Sequence, residues 1–138
     1  MTLRRKSREF ALQMLFQWEM SEQEPSRIEA NFWKSARAEK NTRVFANQLF
    51  EGTVAQVAAL DELLGKHTEH WRTERMAAVD RNILRLGAYE LRSTDTPAKV
   101  ILNEAVELAK KFSSEESAPF INGVLDAVAK SLEGKPKT

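Results

Sequence analysis

The stretch Pro97-Ala98-Lys99-Val100-Ile101-Leu102-Asn103-Glu104-Ala105-Val106-Glu107-Leu108-Ala109-Lys110-Lys111-Phe112 decides the fold class. Ile101, Ala105, Leu108 and Phe112 recur at helical spacing and mark an inward face, while Glu104, Glu107 and Lys111 point outward. Pro97 stands at the opening of this helix, where a missing N–H costs nothing. Toward the N-terminus, the same periodicity predicts a helix from about Val79 to Arg92, followed by the loop Ser93 to Thr96. Toward the C-terminus, Ser113 to Ser117 reads as a turn, with Ser117 capping a last helix that buries Ile121, Val124, Leu125, Val128 and Leu132. The tail 133–138, with Gly134 and Pro136, is expected to fray.

The first half of the chain follows the same rule. A helix is predicted from Leu3 to Met20, with Phe10, Ala11, Met14, Leu15 and Trp18 on one face. Ser21 to Pro25 breaks it, and Pro25 opens a second helix carrying Ile28, Phe32, Trp33 and Ala36. Asn41 is placed to cap a long third helix with the spine Phe45, Leu49, Gly52, Gln56, Leu60 and Leu63, ended by Gly65. His67 to Arg75 is polar, with room for a loop and a short helix around Trp71. No sustained apolar/polar alternation occurs, so strands are not expected. The reading is a single all-α domain over residues 1–138, with six or seven helices.

Composition narrows the chemistry. The 138 residues include no cysteine, two histidines and one tyrosine. A disulfide framework, a cysteine nucleophile and a thiolate metal site are excluded. No apolar run has the length of a membrane span and no apolar leader opens the chain, which predicts a soluble cytoplasmic protein. His67 and His70 lack a third imidazole, so no metal and no other cofactor is expected. No GxxxxGK[ST], GxGxxG or GxSxG motif is present. Glu90 falls inside the apolar arc of its helix with Val79, Ile83 and Leu86, and reads as a buried anchor paired to a neighbouring helix. Nothing here assembles an enzyme.

Charge is nearly balanced, with 21 basic and 20 acidic side chains, but it is unevenly placed. Arg4, Arg5, Lys6 and Arg8 precede the first acid, Glu9. Residues 41–70 are net acidic. On the first helix Arg5, Leu12, Gln13, Phe16 and Met20 share about a third of the circle away from the core face. Either a later helix packs there, or the face meets nucleic acid. In the second case the cations take phosphates, Gln13 reads a base edge and Phe16 stacks a base.

Four segments then carry a resemblance. Arg8-Glu9-Phe10-Ala11-Leu12-Gln13-Met14-Leu15-Phe16-Gln17 resembles the opening of the transcription antitermination factor NusB family. Asp80-Arg81-Asn82-Ile83-Leu84-Arg85-Leu86-Gly87-Ala88-Tyr89-Glu90-Leu91, the run from Pro97 to Lys110, and Phe120-Ile121-Asn122-Gly123-Val124-Leu125-Asp126 follow in that family's order. The resemblance implies an all-helical fold of two small bundles and a non-catalytic adapter. Such an adapter would bind the boxA element of nascent ribosomal RNA transcripts jointly with NusE, a ribosomal small-subunit protein, and help assemble an antitermination complex on RNA polymerase. It assigns RNA contact to Arg4, Arg5, Lys6, Arg8, Gln13, Phe16, Glu116 and Phe120. It assigns the protein partner to Asp80 first, then Glu74 and Arg81.

Departures from the family pattern are small. Phe16 stands where relatives often carry Tyr, which keeps stacking and drops a hydrogen bond; Glu116 stands for a common Asp, and Leu102 for a common Ile. Two rivals follow from the same residues. One is a self-associating helical module, a homodimer with Phe16 in its interface. The other is the RNA-binding domain of an rRNA methyltransferase, which would need a catalytic domain beyond Thr138.

Overall fold

A computed structural model describes residues 2–68 and 76–138. Among these the chain forms seven helices and no strand: α1 (Leu3–Ser21), α2 (Pro25–Ser35), α3 (Lys40–Ala55), α4 (Val57–Gly65), α5 (Ala78–Ser93), α6 (Ala98–Phe112) and α7 (Ser117–Leu132). The helices fall into two compact units, Met1–Ala55 and Gln56–Thr138. The all-α class and the small bundles agree with the sequence. No helix among the described residues is long and apolar enough to cross a membrane.

In the first unit α1 packs on α3 and α2. Phe10, Ala11, Met14 and Leu15 are buried with Ile28, Phe32, Ala46, Leu49 and Phe50. Phe10, Phe32 and Trp33 meet edge to face, with ring centroids 5.7, 5.2 and 4.8 Å apart, the arrangement that the ring quadrupoles favour. The Trp33 indole N–H donates to Asn47 Oδ1 at 2.9 Å, so its polar edge is satisfied. Trp18, expected inside, is half-buried.

The predicted long third helix is broken at Gln56, which has φ −109° and ψ 11°. Two causes are visible. Thr53 Oγ1 donates back to the Leu49 carbonyl at 2.7 Å, a bond that bends helices. The Gln56 side chain reaches the end of α5, where Nε2 donates to Ser93 Oγ at 3.1 Å and Oε1 accepts from an Arg92 guanidinium N–H at 3.0 Å. The spine residues are apolar on both sides of the break, so periodicity runs through it. The helix also begins at Lys40, which places Asn41 in its first turn instead of at its cap.

In the second unit α5 is central, packed by α4, α6 and α7. Arg81 to Ala88, Glu90 and Leu91 are all buried, so this helix has no solvent face over its middle. Arg85 makes a fork to Asp61, with Nε and Nη2 each 2.8 Å from a carboxylate oxygen. Glu90 is 2% exposed and takes part in an interaction, so its expected burial is found. Gly87 lets α7 approach, since a Cβ there would lie 2.7 Å from Leu125 Cδ1. Residues 133–138 are exposed, yet the Thr138 N–H donates to the Arg92 carbonyl at 3.1 Å and Lys137 Nζ to the Leu91 carbonyl at 2.9 Å. These are last-turn carbonyls that the helix itself leaves open.

Candidate nucleic-acid interface

The N-terminus of α1 is capped by Thr2, whose Oγ1 accepts from the Arg5 N–H at 3.1 Å. No acid lies in its first turn, so the positive end of the helix dipole is uncompensated and adds to the cations beside it. The four cations do not form one cluster. At 100° per residue Arg4 and Arg8 share a side that turns toward α3. There the Arg4 guanidinium lies 3.8 Å from the Phe45 ring centroid and that of Arg8 lies 6.0 Å from it. Arg4 remains exposed, whereas Arg8 is 4% exposed and engaged within the fold. Arg8, expected to meet phosphate, is thus enclosed by the fold where an exposed cation was anticipated.

Arg5 and Lys6 turn progressively away from that side. Arg5 is half-buried; Lys6 is exposed, its ammonium 5.1 Å from the Phe10 centroid. Eleven residues on, in the row of Arg5, the Phe16 ring is 40% exposed; seven residues after Lys6, Gln13 is half-buried. Leu12, expected on this open face, is buried at 3%, as is Glu9 at 4%. The face is therefore divided into a cationic end and an aromatic end about 16 Å apart along the helix. A single base cannot touch both, but a strand of several nucleotides can.

In the second unit Glu116 is exposed just ahead of α7, and the Phe120 ring is 44% exposed. The expected cap by Ser117 is not what forms. Ser114 Oγ accepts from the Ser117 N–H at 3.1 Å, and the Ser117 hydroxyl instead donates to Asp80 Oδ2 at 2.9 Å. Asp80, expected to be a free docking charge, is half-buried and spends one oxygen internally. Arg81 is buried at 6%, and one of its terminal N–H groups donates to the Met76 carbonyl at 2.8 Å. Burial, and then the neighbouring Arg85 charge, lower its pKa. Arg81, one of the two weaker docking expectations, is thus mostly enclosed by the fold. Glu74 lies outside the described residues, as do Glu69, His70 and Trp71; His67 is half-buried. No group of three or more His, Cys, Asp or Glu side chains that could hold a metal occurs among the described residues.

Two contacts escape sequence reading. Phe45 belongs to the predicted spine of the third helix, but nothing in its spacing pairs it with Arg4. Ser117 and Asp80 are each visible as helix-opening residues, and only the packing of α5 on α7 makes them partners.

Residues 5–130 match the NusB family. The transcription antitermination protein NusB of Koribacter versatilis is 50% identical over 136 residues, which cover 97% of this chain and 93% of that protein. The structure of T. maritima NusB superimposes with a TM-score of 0.84 at 33% identity, covering 98% of this chain and 94% of the other. A chain in the crystal structure of antitermination factors NusB and NusE in complex with dsRNA gives a TM-score of 0.82 at 27% identity, covering 95% and 98%. With matching helices, a shared order of motifs and similarity over nearly its full length, the chain belongs to the NusB family.

Proposed function

We propose that this chain, acting as one RNA-binding domain in the cytoplasm, is a non-catalytic transcription antitermination factor. It binds boxA-type single-stranded RNA of nascent rRNA transcripts together with NusE and joins an antitermination complex on RNA polymerase. The observation that carries the reading is the opening of α1, where exposed Arg4 and Lys6 and half-buried Arg5 surround an acid-free helix N-terminus, with the exposed Phe16 ring further along. The cations supply sequence-independent attraction to phosphates, and Phe16 and Gln13 favour particular unpaired bases. Glu116 and Phe120, exposed at the start of α7 in the second unit, are further residues assigned to RNA. Relatives named as antitermination proteins, and a neighbour crystallised with NusE and dsRNA, support the assignment.

Three accessible cations bind RNA weakly on their own. A second protein on the same RNA raises the effective concentration of each binding event, which is the physical reason for a joint complex. Asp80 is the residue of α5 assigned to that partner.

The test is a titration of labelled boxA-like single-stranded RNA across a salt series, with and without NusE. Three neutralised phosphates predict a log–log slope of about −2. Tighter binding with NusE, lost on a scrambled RNA, is the expected result. Flat, sequence-blind binding with no NusE effect would replace the adapter with a self-associating module.

A further inference from the structure

Within the first unit, the N-terminus of α1 and the segment joining α2 to α3 border an open cleft of about 300 Å³. Thr2, Lys6, Arg37, Glu39 and Thr42 line it. Its floor is fixed, because Thr42 is buried and its carbonyl accepts the Ser7 hydroxyl at 2.9 Å. The Thr2 oxygen is committed to the Arg5 N–H. The groups that face a ligand are therefore the exposed side chains of Lys6, Arg37 and Glu39.

Those three side chains specify a chemistry. Two cations and one carboxylate leave a single positive charge, which complements a phosphodiester monoanion. The carboxylate disfavours a bare dianion and accepts from an exocyclic amine, as carboxylates do from cytosine N4. The volume lies at the small end of the range for ligand sites, enough for one nucleotide and not for a duplex. Lys6 belongs both to the cationic end of α1 and to this cleft, so a strand on α1 has a path into it.

We propose that the cleft holds one terminal nucleotide of the RNA strand bound along α1, with its phosphate between Lys6 and Arg37 and an amine-bearing base edge at Glu39. This rests on the RNA-binding reading above and adds Arg37 and Glu39 to it. Arg37 is exposed on the α2–α3 connection, so its replacement leaves the helical core intact.

The experiment compares a core boxA-like RNA with versions extended by one cytidine or one uridine at either end. The proteins are the full chain as wild type, Arg37→Ala and Glu39→Gln. Extension by cytidine at one end should tighten wild-type binding several-fold, and uridine less. Arg37→Ala should erase that gain and lower the salt slope by about 0.7 for the extended RNA, while leaving the core RNA affinity unchanged. Glu39→Gln should narrow the difference between cytidine and uridine. Equal gains in wild type and Arg37→Ala at both ends would overturn the cleft and leave the α1 reading standing. No binding of the core RNA by wild type would remove the RNA reading and the cleft with it.

Discussion

The Ser117 hydroxyl donates to Asp80 Oδ2 at 2.9 Å and joins the first turn of α7 to the first turn of α5. The second oxygen of Asp80, Oδ1, is buried without a hydrogen-bond partner among the described residues. The carboxylate is thus held by one hydroxyl and by the favourable N-terminal end of α5. Phe120 lies one turn beyond Ser117 on α7. A residue assigned to the protein partner therefore also positions the element assigned to RNA.

Asp80→Lys should accordingly weaken both NusE docking and RNA binding, whereas Ser117→Ala should weaken RNA binding alone. Losing this charge-assisted bond costs about 1–2 kcal/mol of stability, to be read from urea denaturation. If Ser117→Ala leaves RNA affinity at the wild-type value, Asp80 acts on the partner only.

The two sides of α1 predict different consequences for different cations. Arg5→Ala with Lys6→Ala should flatten the salt slope by about 1.4 if each loses one phosphate. Thermal unfolding should change little. Arg8→Ala should do the reverse, lowering stability by about 1 kcal/mol through lost packing with a near-normal salt slope. The pair of measurements, slope and melting temperature, separates a phosphate ligand from an anchor.

Glu29 on α2 is half-buried near Glu51 of α3, and its Oε2 is buried without a hydrogen-bond partner among the described residues. Burial first, then the neighbouring Glu51 carboxyl and its charge, push the Glu29 pKa from 4.5 up to about 8. A carboxyl whose pKa is raised by folding contributes stability that is complete below about 4.5 and is lost as pH rises through 8. Glu29→Gln should remove the titration while keeping the shape of the side chain. The melting temperatures of variant and wild type should be closest near pH 4, diverge in favour of the variant as pH rises toward 8, and stay apart above it. Parallel curves over that range would contradict the raised Glu29 pKa.

Gly87→Ala gains about 1 kcal/mol of helix propensity, yet its Cβ would meet Leu125 Cδ1 at 2.7 Å and Cδ2 at 3.1 Å. Leu125 is fully buried, so its side chain must shift within the core to admit the methyl group. Overpacking costs about 1–3 kcal/mol, so a net loss is expected. Adding Leu125→Ala should make the pair less destabilised than the sum of the single variants, as a double-mutant cycle in denaturant would report.

Helix positions were legible because each depends on local spacing. Pro25 opens α2, Gly65 closes α4, and the Ile101–Leu108 face is inside, all as periodicity and capping rules require. What escaped depends on partners far away in sequence. Gln56 breaks a helix because Arg92 and Ser93 hold its side chain, and Arg8 leaves the surface on a side that also carries Phe45. In the candidate site, residue types were readable and orientations were not: charge says which groups can meet phosphate, and only packing says which are already engaged.

The interruption at Gln56 also bears on how the chain acquires its structure. Each unit is built from an unbroken run of sequence, so the contacts inside Met1–Ala55 can form before any residue of the second run is needed. The main packing of that first unit is α1 on α3, a closure across α2 alone, so loops stay short and folding falls in the fast regime of helical proteins. On a translating ribosome, where chains lengthen at about 5–20 residues per second, α1 to α3 would have seconds to assemble while α4 to α7 are still being made.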